Sequence, residues 1–215
     1  MTKKISLILL TLALLFTSCG TRSSNNTQTT TLSPTHDYGV LINGIRWATR
    51  NVDAPGTFAQ NPEDSGMLFQ WGCKKAWNTI DSSVEGWDNF TMGWRGLIGD
   101  WETEKDPCPT GWRVPTYEEL VSLLYVESEA TVRNGINGRL FGVAPNQIFL
   151  PTVGFRAGHS RSGTLVNQNI FGYYWSSPLH REINARSLQF SYSRLWGVLL
   201  SAPTNGYSVR CVSTN

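Results

Sequence analysis

Pro115-Thr116-Tyr117-Glu118-Glu119-Leu120-Val121-Ser122-Leu123-Leu124 is the stretch that reads most plainly as a helix, and it decides the fold class. Thr116-x-x-Glu119 forms a capping box: the threonine hydroxyl accepts from the N–H three residues on, and the glutamate carboxylate reaches back to the cap N–H. Pro115 stands just ahead, and Tyr117, Leu120, Val121 and Leu124 recur at helical spacing. The pattern predicts a helix over about 116–127. Glu118 and Glu119 fall where carboxylates favour the helix dipole, so they need no catalytic role.

On either side the pattern changes. Val40 to Ile42 and Ile45 to Ala48 flank Asn43-Gly44, a pair that supplies the positive φ angles of a tight hairpin turn. Met67 to Trp71 is a short apolar strand, and Lys74 to Lys105, rich in Trp, Asp, Gly and Asn, reads as long irregular loops. After the helix, short segments follow closely: Gly138 to Gly142, Ile148 to Leu150, Val153 to Ala157, Gly163 to Val166, Tyr173 to Ser176, Arg186 to Tyr192, Trp196 to Leu200 and Tyr207 to Val212. Leu188, Phe190 and Tyr192 alternate with Gln189 and Ser191, the period of a half-buried strand. One main helix among many short antiparallel strands makes an α+β domain.

Composition agrees. Hydrophobic residues make up 40% of 215 residues, enough for a packed core, while charged residues are 16%, below the usual roughly 25%. The net charge of +2 is accounted for by Lys3 and Lys4, so the chain beyond them is balanced. No basic surplus remains to meet a phosphate backbone, which argues against a nucleic-acid partner.

Lys3 and Lys4 also open an address. An apolar run from Ile5 to Phe16 follows, then Thr17-Ser18-Cys19-Gly20. The run is too short to span a bilayer and has the plan of a secretory signal. A cysteine at the cleavage point makes it resemble a bacterial lipoprotein signal, which implies that Cys19 becomes the lipidated first residue. Thr21 to Thr35 is almost wholly Ser, Thr, Asn and Gln and reads as a tether spanning roughly 25 Å as a coil. The expected plan is residues 1–18 signal, 19–37 lipidated tether and 38–215 domain. The location is the cell envelope, as an outer-membrane lipoprotein, with the membrane engaged through the N-terminal lipid only. Gly20 to Ser24 holds no acidic residue of the kind that marks surface export in some lipoproteins, so either face of the membrane stays open.

Cys73, Cys108 and Cys211 then remain in an oxidising compartment, enough for one disulfide with one thiol left over. Cys108 is held stiffly between Pro107 and Pro109, and Cys211 sits in an apolar terminal segment; this pair is the expected bond.

Six blocks carry a family resemblance. They are Asn43-Gly44-Ile45-Arg46-Trp47-Ala48-Thr49-Arg50-Asn51-Val52, Pro62 to Gly72, Asp106-Pro107-Cys108-Pro109-Thr110-Gly111-Trp112-Arg113-Val114-Pro115-Thr116, Leu150-Pro151-Thr152-Val153-Gly154-Phe155-Arg156, Gly172-Tyr173-Tyr174-Trp175-Ser176-Ser177 and Gly206-Tyr207-Ser208-Val209-Arg210-Cys211-Val212. In this order they resemble the Fibrobacter succinogenes major paralogous (FISUMP) domain of Bacteroidetes lipoproteins, over roughly Tyr38 to Val212. The resemblance implies a C-type-lectin-like fold, related to the formylglycine-generating-enzyme scaffold, with paired terminal strands and a helix after the first strands. It also implies the Cys108–Cys211 bond. Related lectin-like domains present a variable surface between the last two blocks. Here that stretch is Pro178 to Asn205, and its candidate ligand-binding residues are His180, Arg181, Glu182, Tyr192, Arg194 and Trp196.

Other chemistry is weaker. Gly158-His159-Ser160-Arg161-Ser162-Gly163 is one residue too long for a nucleophile elbow and reads as a polar hairpin loop. His36, His159 and His180 lack metal-ligand spacing, so no metal, cofactor or catalytic residue is expected. The nine tryptophans divide: Trp47, Trp71, Trp112 and Trp175 read as core, while Trp77, Trp87, Trp94, Trp101 and Trp196 are the ligand-facing candidates. The expected function is non-catalytic recognition of a glycan or protein. A periplasmic structural or fimbrial assembly role is the alternative, and an enzyme on the formylglycine-generating scaffold ranks third.

Overall fold

The computed structural model describes residues 33–87, 101–177 and 184–215. Cys19, expected to carry the lipid, the expected signal, most of the expected tether, Trp94 and the candidates His180, Arg181 and Glu182 lie outside the described residues. In chain order the strands before the helix are β1 (Val40–Ile42), β2 (Ile45–Trp47), β3 (Leu68–Gln70), β4 (Ala76–Trp77) and β5 (Trp112–Arg113). Helix α1 spans Tyr117–Ser122. After it come β6 (Ser128–Arg133), β7 (Ile136–Val143), β8 (Asn146–Pro151), β9 (Phe155–Arg156), β10 (Leu165–Val166), β11 (Phe171–Trp175), β12 (Ala185–Ser191), β13 (Leu195–Ser201), β14 (Gly206–Tyr207) and β15 (Val212–Ser213). Among the described residues the body is mostly sheet with one short α-helix.

Four sheets share the strands, in the orders β1-β2-β15-β5, β10-β9-β14-β3-β4, β11-β12-β13 and β6-β7-β8. The β1–β2 turn has φ of 50° at Asn43 and 79° at Gly44, as the Asn-Gly pair predicts. The second sheet carries the Gly158–Gly163 segment as the turn between β9 and β10, a strand-to-strand connection rather than an elbow. At the chain's end β15 joins β2 through Val212 and Trp47, and β5 through Val212 and Arg113. Cys211, one residue before β15, is bonded to Cys108, whose S–S distance is 2.04 Å. The terminal strands and the disulfide thus close the same sheet.

Thr116 caps α1 as its sequence requires: its hydroxyl accepts from Glu119 N–H at 3.2 Å, and Glu119 Oε2 accepts from Thr116 N–H at 2.7 Å. The helix is shorter than 116–127. It tightens into a 3₁₀ turn over Leu123–Tyr125, and Val126 is already extended. Strand β6 starts two residues later and pairs with β7, so strand pairing claims the chain that a helix would have used. Composition hides β6: in Ser-Glu-Ala-Thr-Val-Arg the only large apolar side chain, Val132, faces solvent.

Two apolar clusters fill the interior. The first gathers Val52, Phe69, Trp71, Trp101, Trp175 and Val209 around the disulfide. The second packs Leu120 and Leu123 of the helical segment against Trp47, Phe141, Leu188 and Phe190. Gly172 of β11 is needed there, because a Cβ would lie 2.3 Å from the Phe190 ring.

Two expectations shift. The terminal run 207–212 is not one strand. Between β14 and β15 the chain crosses from sheet to sheet, with Ser208 bonded to Tyr173 and Trp175, Val209 O accepting from Val52 N–H and Cys211 O accepting from Ala48 N–H. The folded body also starts before residue 38. Asp37 is buried and pairs with Arg50 at 3.2 Å, and the carbonyls of Ser33 and His36 accept from the same guanidinium.

Candidate functional site

The β11-β12-β13 sheet has two faces of opposite character. Alternation puts Gly172 and Tyr174 toward the second core, where Tyr174 stacks on Phe190 at 6.0 Å. Phe171, Tyr173 and Trp175 face the other way. On that face the rings form a continuous run. Trp196 of β13 lies 5.2 Å from Phe171, Phe171 is 6.3 Å from Tyr173, Tyr173 stacks on Tyr207 at 4.9 Å, and Tyr207 stacks on Trp175 at 4.2 Å. Phe155 meets Tyr173 and Tyr207 edge-on. The run starts at an indole 38% exposed and ends at Trp175, which is fully buried.

Polar groups line the same face. Gln189 stands opposite Tyr173 in the register, and Ser187 opposite Trp175 and Leu199. Gln189 Nε2 donates to Ser187 Oγ and Ser201 Oγ, both at 3.1 Å, and the two hydroxyls are 2.8 Å apart. Asn205 Nδ2 donates to the Tyr207 hydroxyl at 2.9 Å. Burial pushes the Tyr173 and Tyr207 phenols above their ordinary value, so both are neutral at physiological pH.

The sequence candidates on this hairpin divide. Trp196 stands on the face just described. Tyr192 and Arg194 are exposed at the turn between β12 and β13, where Ser191 N–H donates to Arg194 O and Arg194 N–H to Ser191 Oγ. Arg139 Nη1 holds the turn through the Tyr192 carbonyl at 3.2 Å. Three other tryptophans expected to face a ligand are interior. Trp77 and Trp87 pack together at 5.0 Å and Trp101 lies against Trp71 at 5.5 Å, all three buried. Trp87 fills the notch left by Gly163 and Gly206, where added Cβ atoms would be 2.4 and 3.0 Å from its ring. Their loops are irregular, but packing those loops onto the sheet is what hides the indoles.

A concavity of about 630 Å³ opens beside the disulfide, away from the Trp196 face, and includes Lys74, Trp101, Asp106, Trp112, Arg113 and Ser177. Its carboxylate is already engaged: Asp106 accepts from Cys108 N–H at 2.8 Å and from Val114 N–H at 2.9 Å. Burial nevertheless pushes the Asp106 carboxyl up. Arg113 is held bidentate by Glu119, both bonds at 2.7 Å. These groups fix the disulfide loop and the helix cap. Among the described residues, no group of three or more His, Cys, Asp or Glu is placed to hold a metal ion. No helix among the described residues is long and apolar enough to cross a membrane.

Sequence reading named Trp196 but missed Phe171, Gln189, Ser187 and Ser201. The alternation Phe-Gly-Tyr-Tyr-Trp was the available signal for Phe171. The serine–glutamine cluster has no local signature, since Ser201 reaches it only through strand pairing. Set against family models, curated proteins and solved structures, the chain finds no match in any of the three.

Proposed function

We propose that this chain is a non-catalytic recognition module of the cell envelope, tethered through a lipidated Cys19, with its site on the Trp196 face of the β11-β12-β13 sheet. The observation that carries this reading is the ring run. It supports an exposed indole on a packed stack, so the contact surface is ordered before any ligand arrives, which lowers the entropy lost on binding. Its polar neighbours are carboxamides and hydroxyls, which orient a ligand but supply no nucleophile with an adjacent base. Tyr192 and Arg194 at the neighbouring turn, and His180, Arg181 and Glu182 in the segment before β12, are the proposed flanking contacts.

We infer a C-type-lectin-like fold from the six sequence blocks. The pairing of β2 with β15, the disulfide beside it and a helix following the first hairpin are in keeping with that inference.

One observation favours the assembly reading. β13 is the outer strand of its sheet, Leu195-Trp196-Gly197-Val198-Leu199-Leu200-Ser201 carries no charge or proline, and Trp196, Leu199 and Leu200 are exposed. Such an edge is suited to receiving a partner strand.

The test presents the full chain, oxidised and in detergent, to glycan and protein arrays beside a Trp196→Ala, Arg194→Ala double variant. A ligand lost in the double variant supports the recognition reading. A ligand that the variant keeps moves the site elsewhere, and no ligand at all favours assembly. Cys19→Ser is expected to release the chain from the membrane fraction; retention there would remove the lipid anchor from the proposal.

A further inference from the structure

The Trp196 face has a chemistry that selects among ligand classes. Among the described residues its accessible members are Trp196, Phe171, Tyr173, Gln189 and Leu199, with Ser187 and Ser201 buried behind Gln189, and none bears a formal charge at neutral pH. A cationic or anionic ligand therefore gains no ion pair from these side chains and gives up part of its hydration. A purely apolar ligand would leave the half-buried Gln189 carboxamide poorly hydrated beneath it, the buried serine hydroxyls behind it being already hydrogen-bonded. What fits both halves is a molecule with a C–H face for the indole and neutral hydroxyls for the Gln189 amide. A pyranose ring has that pair of surfaces.

Geometry narrows the fit. The indole is backed by Phe171 at an interplanar angle of 32°, so one face of Trp196 is taken by protein. Gln189 is clamped by Ser187 and Ser201, which fixes its amide plane without a solvent-exposed salt bridge. Both elements sit on paired strands, so neither needs to be ordered by the ligand.

We infer that this face binds an uncharged glycan, one pyranose stacking on Trp196 with its hydroxyls directed toward the Gln189 cluster. The inference rests on the recognition reading above and names its ligand class.

Binding of the full oxidised chain in detergent is measured against immobilised neutral polysaccharides (a mixed-linkage β-glucan and a galactomannan) and anionic ones (alginate and heparin). Immobilised collagen and fibronectin form a third arm. Trp196→Ala, Trp196→Phe and Gln189→Ala run in parallel, each checked for a cooperative unfolding transition well above the assay temperature. The expected result is binding to at least one neutral polysaccharide that changes little with salt. Trp196→Ala should weaken it about tenfold or more, as expected for a ring that anchors an interface. Trp196→Phe should keep more binding than Trp196→Ala, because a smaller ring still stacks. Binding to the anionic polysaccharides alone, neutral binding that Trp196→Ala leaves intact, or no polysaccharide binding overturns the inference. In the last case, Trp196-dependent capture of collagen or fibronectin would leave the recognition reading standing, whereas failure of all three arms removes both.

Discussion

The chain's last two strand regions invert the usual placement of charge and ring. Arg210, in the crossing between β14 and β15, is fully buried, while Trp196 in β13 is 38% exposed. Among the described residues no carboxylate accepts a hydrogen bond from Arg210. Its guanidinium donates to Asn51 Oδ1 at 2.7 and 3.1 Å, to Ala48 O at 3.2 Å and to Phe149 O at 3.0 Å. Burial lowers this group to about 10, and it raises the neighbouring Tyr174 phenol to about 12. Arg156 is held the same way by the carbonyls of Asn78, Asp81 and Gly163. These cations join strands and loops that ladder hydrogen bonds do not reach. Among the described residues the ring partner of the Trp196 indole is Phe171. A charged residue in a strongly patterned block is thus a fastener in this protein, and an aromatic residue in an unpatterned hairpin is the candidate contact.

The largest expected effect comes from breaking a fastener. Arg210→Met leaves three oxygen acceptors buried without their donors, at a cost of about 3–5 kcal/mol, a large part of a typical domain's stability. Arg210→Lys should recover only part of this, since a point ammonium cannot reproduce a planar fork. Urea unfolding reads both. A loss under about 1 kcal/mol for Arg210→Met would mean the site is wet and the contrast overdrawn.

Next comes the covalent fastener. Cys108 and Cys211 are 103 residues apart, and replacing both by serine should cost about 2–5 kcal/mol through the freed unfolded chain. Reductant should shift the unfolding midpoint of the wild-type chain and not that of the double variant. An equal shift in both would place the effect elsewhere.

The helix cap is smaller. Thr116→Ala should cost about 1 kcal/mol. Burial raises the Glu119 carboxyl, but the Arg113 guanidinium and the Thr116 N–H outweigh it and hold the group below its ordinary value. A lowered folded value means the contribution is complete above the unfolded glutamate's range, near about 4.3, and is lost as pH falls through the folded value. Stability followed from neutral pH down to pH 3 should therefore fall less steeply in Glu119→Gln than in wild type. Parallel acid limbs would remove Glu119 from the cap's energetics.

What could be read from the chain followed range. The Asn43-Gly44 hairpin, the Thr116 capping box and the alternation of 188–190 are local and stand where their residues placed them, whereas Tyr192, read as continuing that strand, is exposed in the turn after β12. The split of 207–212 is not local, being decided by segments far along the chain, whereas the end of α1 and the strand β6 are decided by the neighbouring β7, paired with β6 across Asn134-Gly135. The site shows the same division. Trp196 was legible as a bulky residue between patterned blocks. Gln189, Ser187 and Ser201 come together only when β12 pairs with β13. The burial of Trp77, Trp87 and Trp101 depends on loop packing that no spacing encodes.

A pair of tryptophan variants is the sharpest test of the contrast. Trp71→Ala removes an indole that is 1% exposed, packs on Trp101 and donates from Nε1 to Ser176 O at 2.8 Å, and should cost about 3–5 kcal/mol. Trp196→Ala removes a ring that is 38% exposed with one backing ring, and should cost roughly 1–2 kcal/mol. Paired thermal unfolding should show a large shift for the first and a smaller one for the second. If Trp196→Ala destabilises as much as Trp71→Ala, the outer end of the ring run is core rim, and its exposure reflects imperfect covering rather than a prepared surface. If its effect is small, the exposed indole is dispensable for folding, which is the condition a side chain kept for a partner must meet.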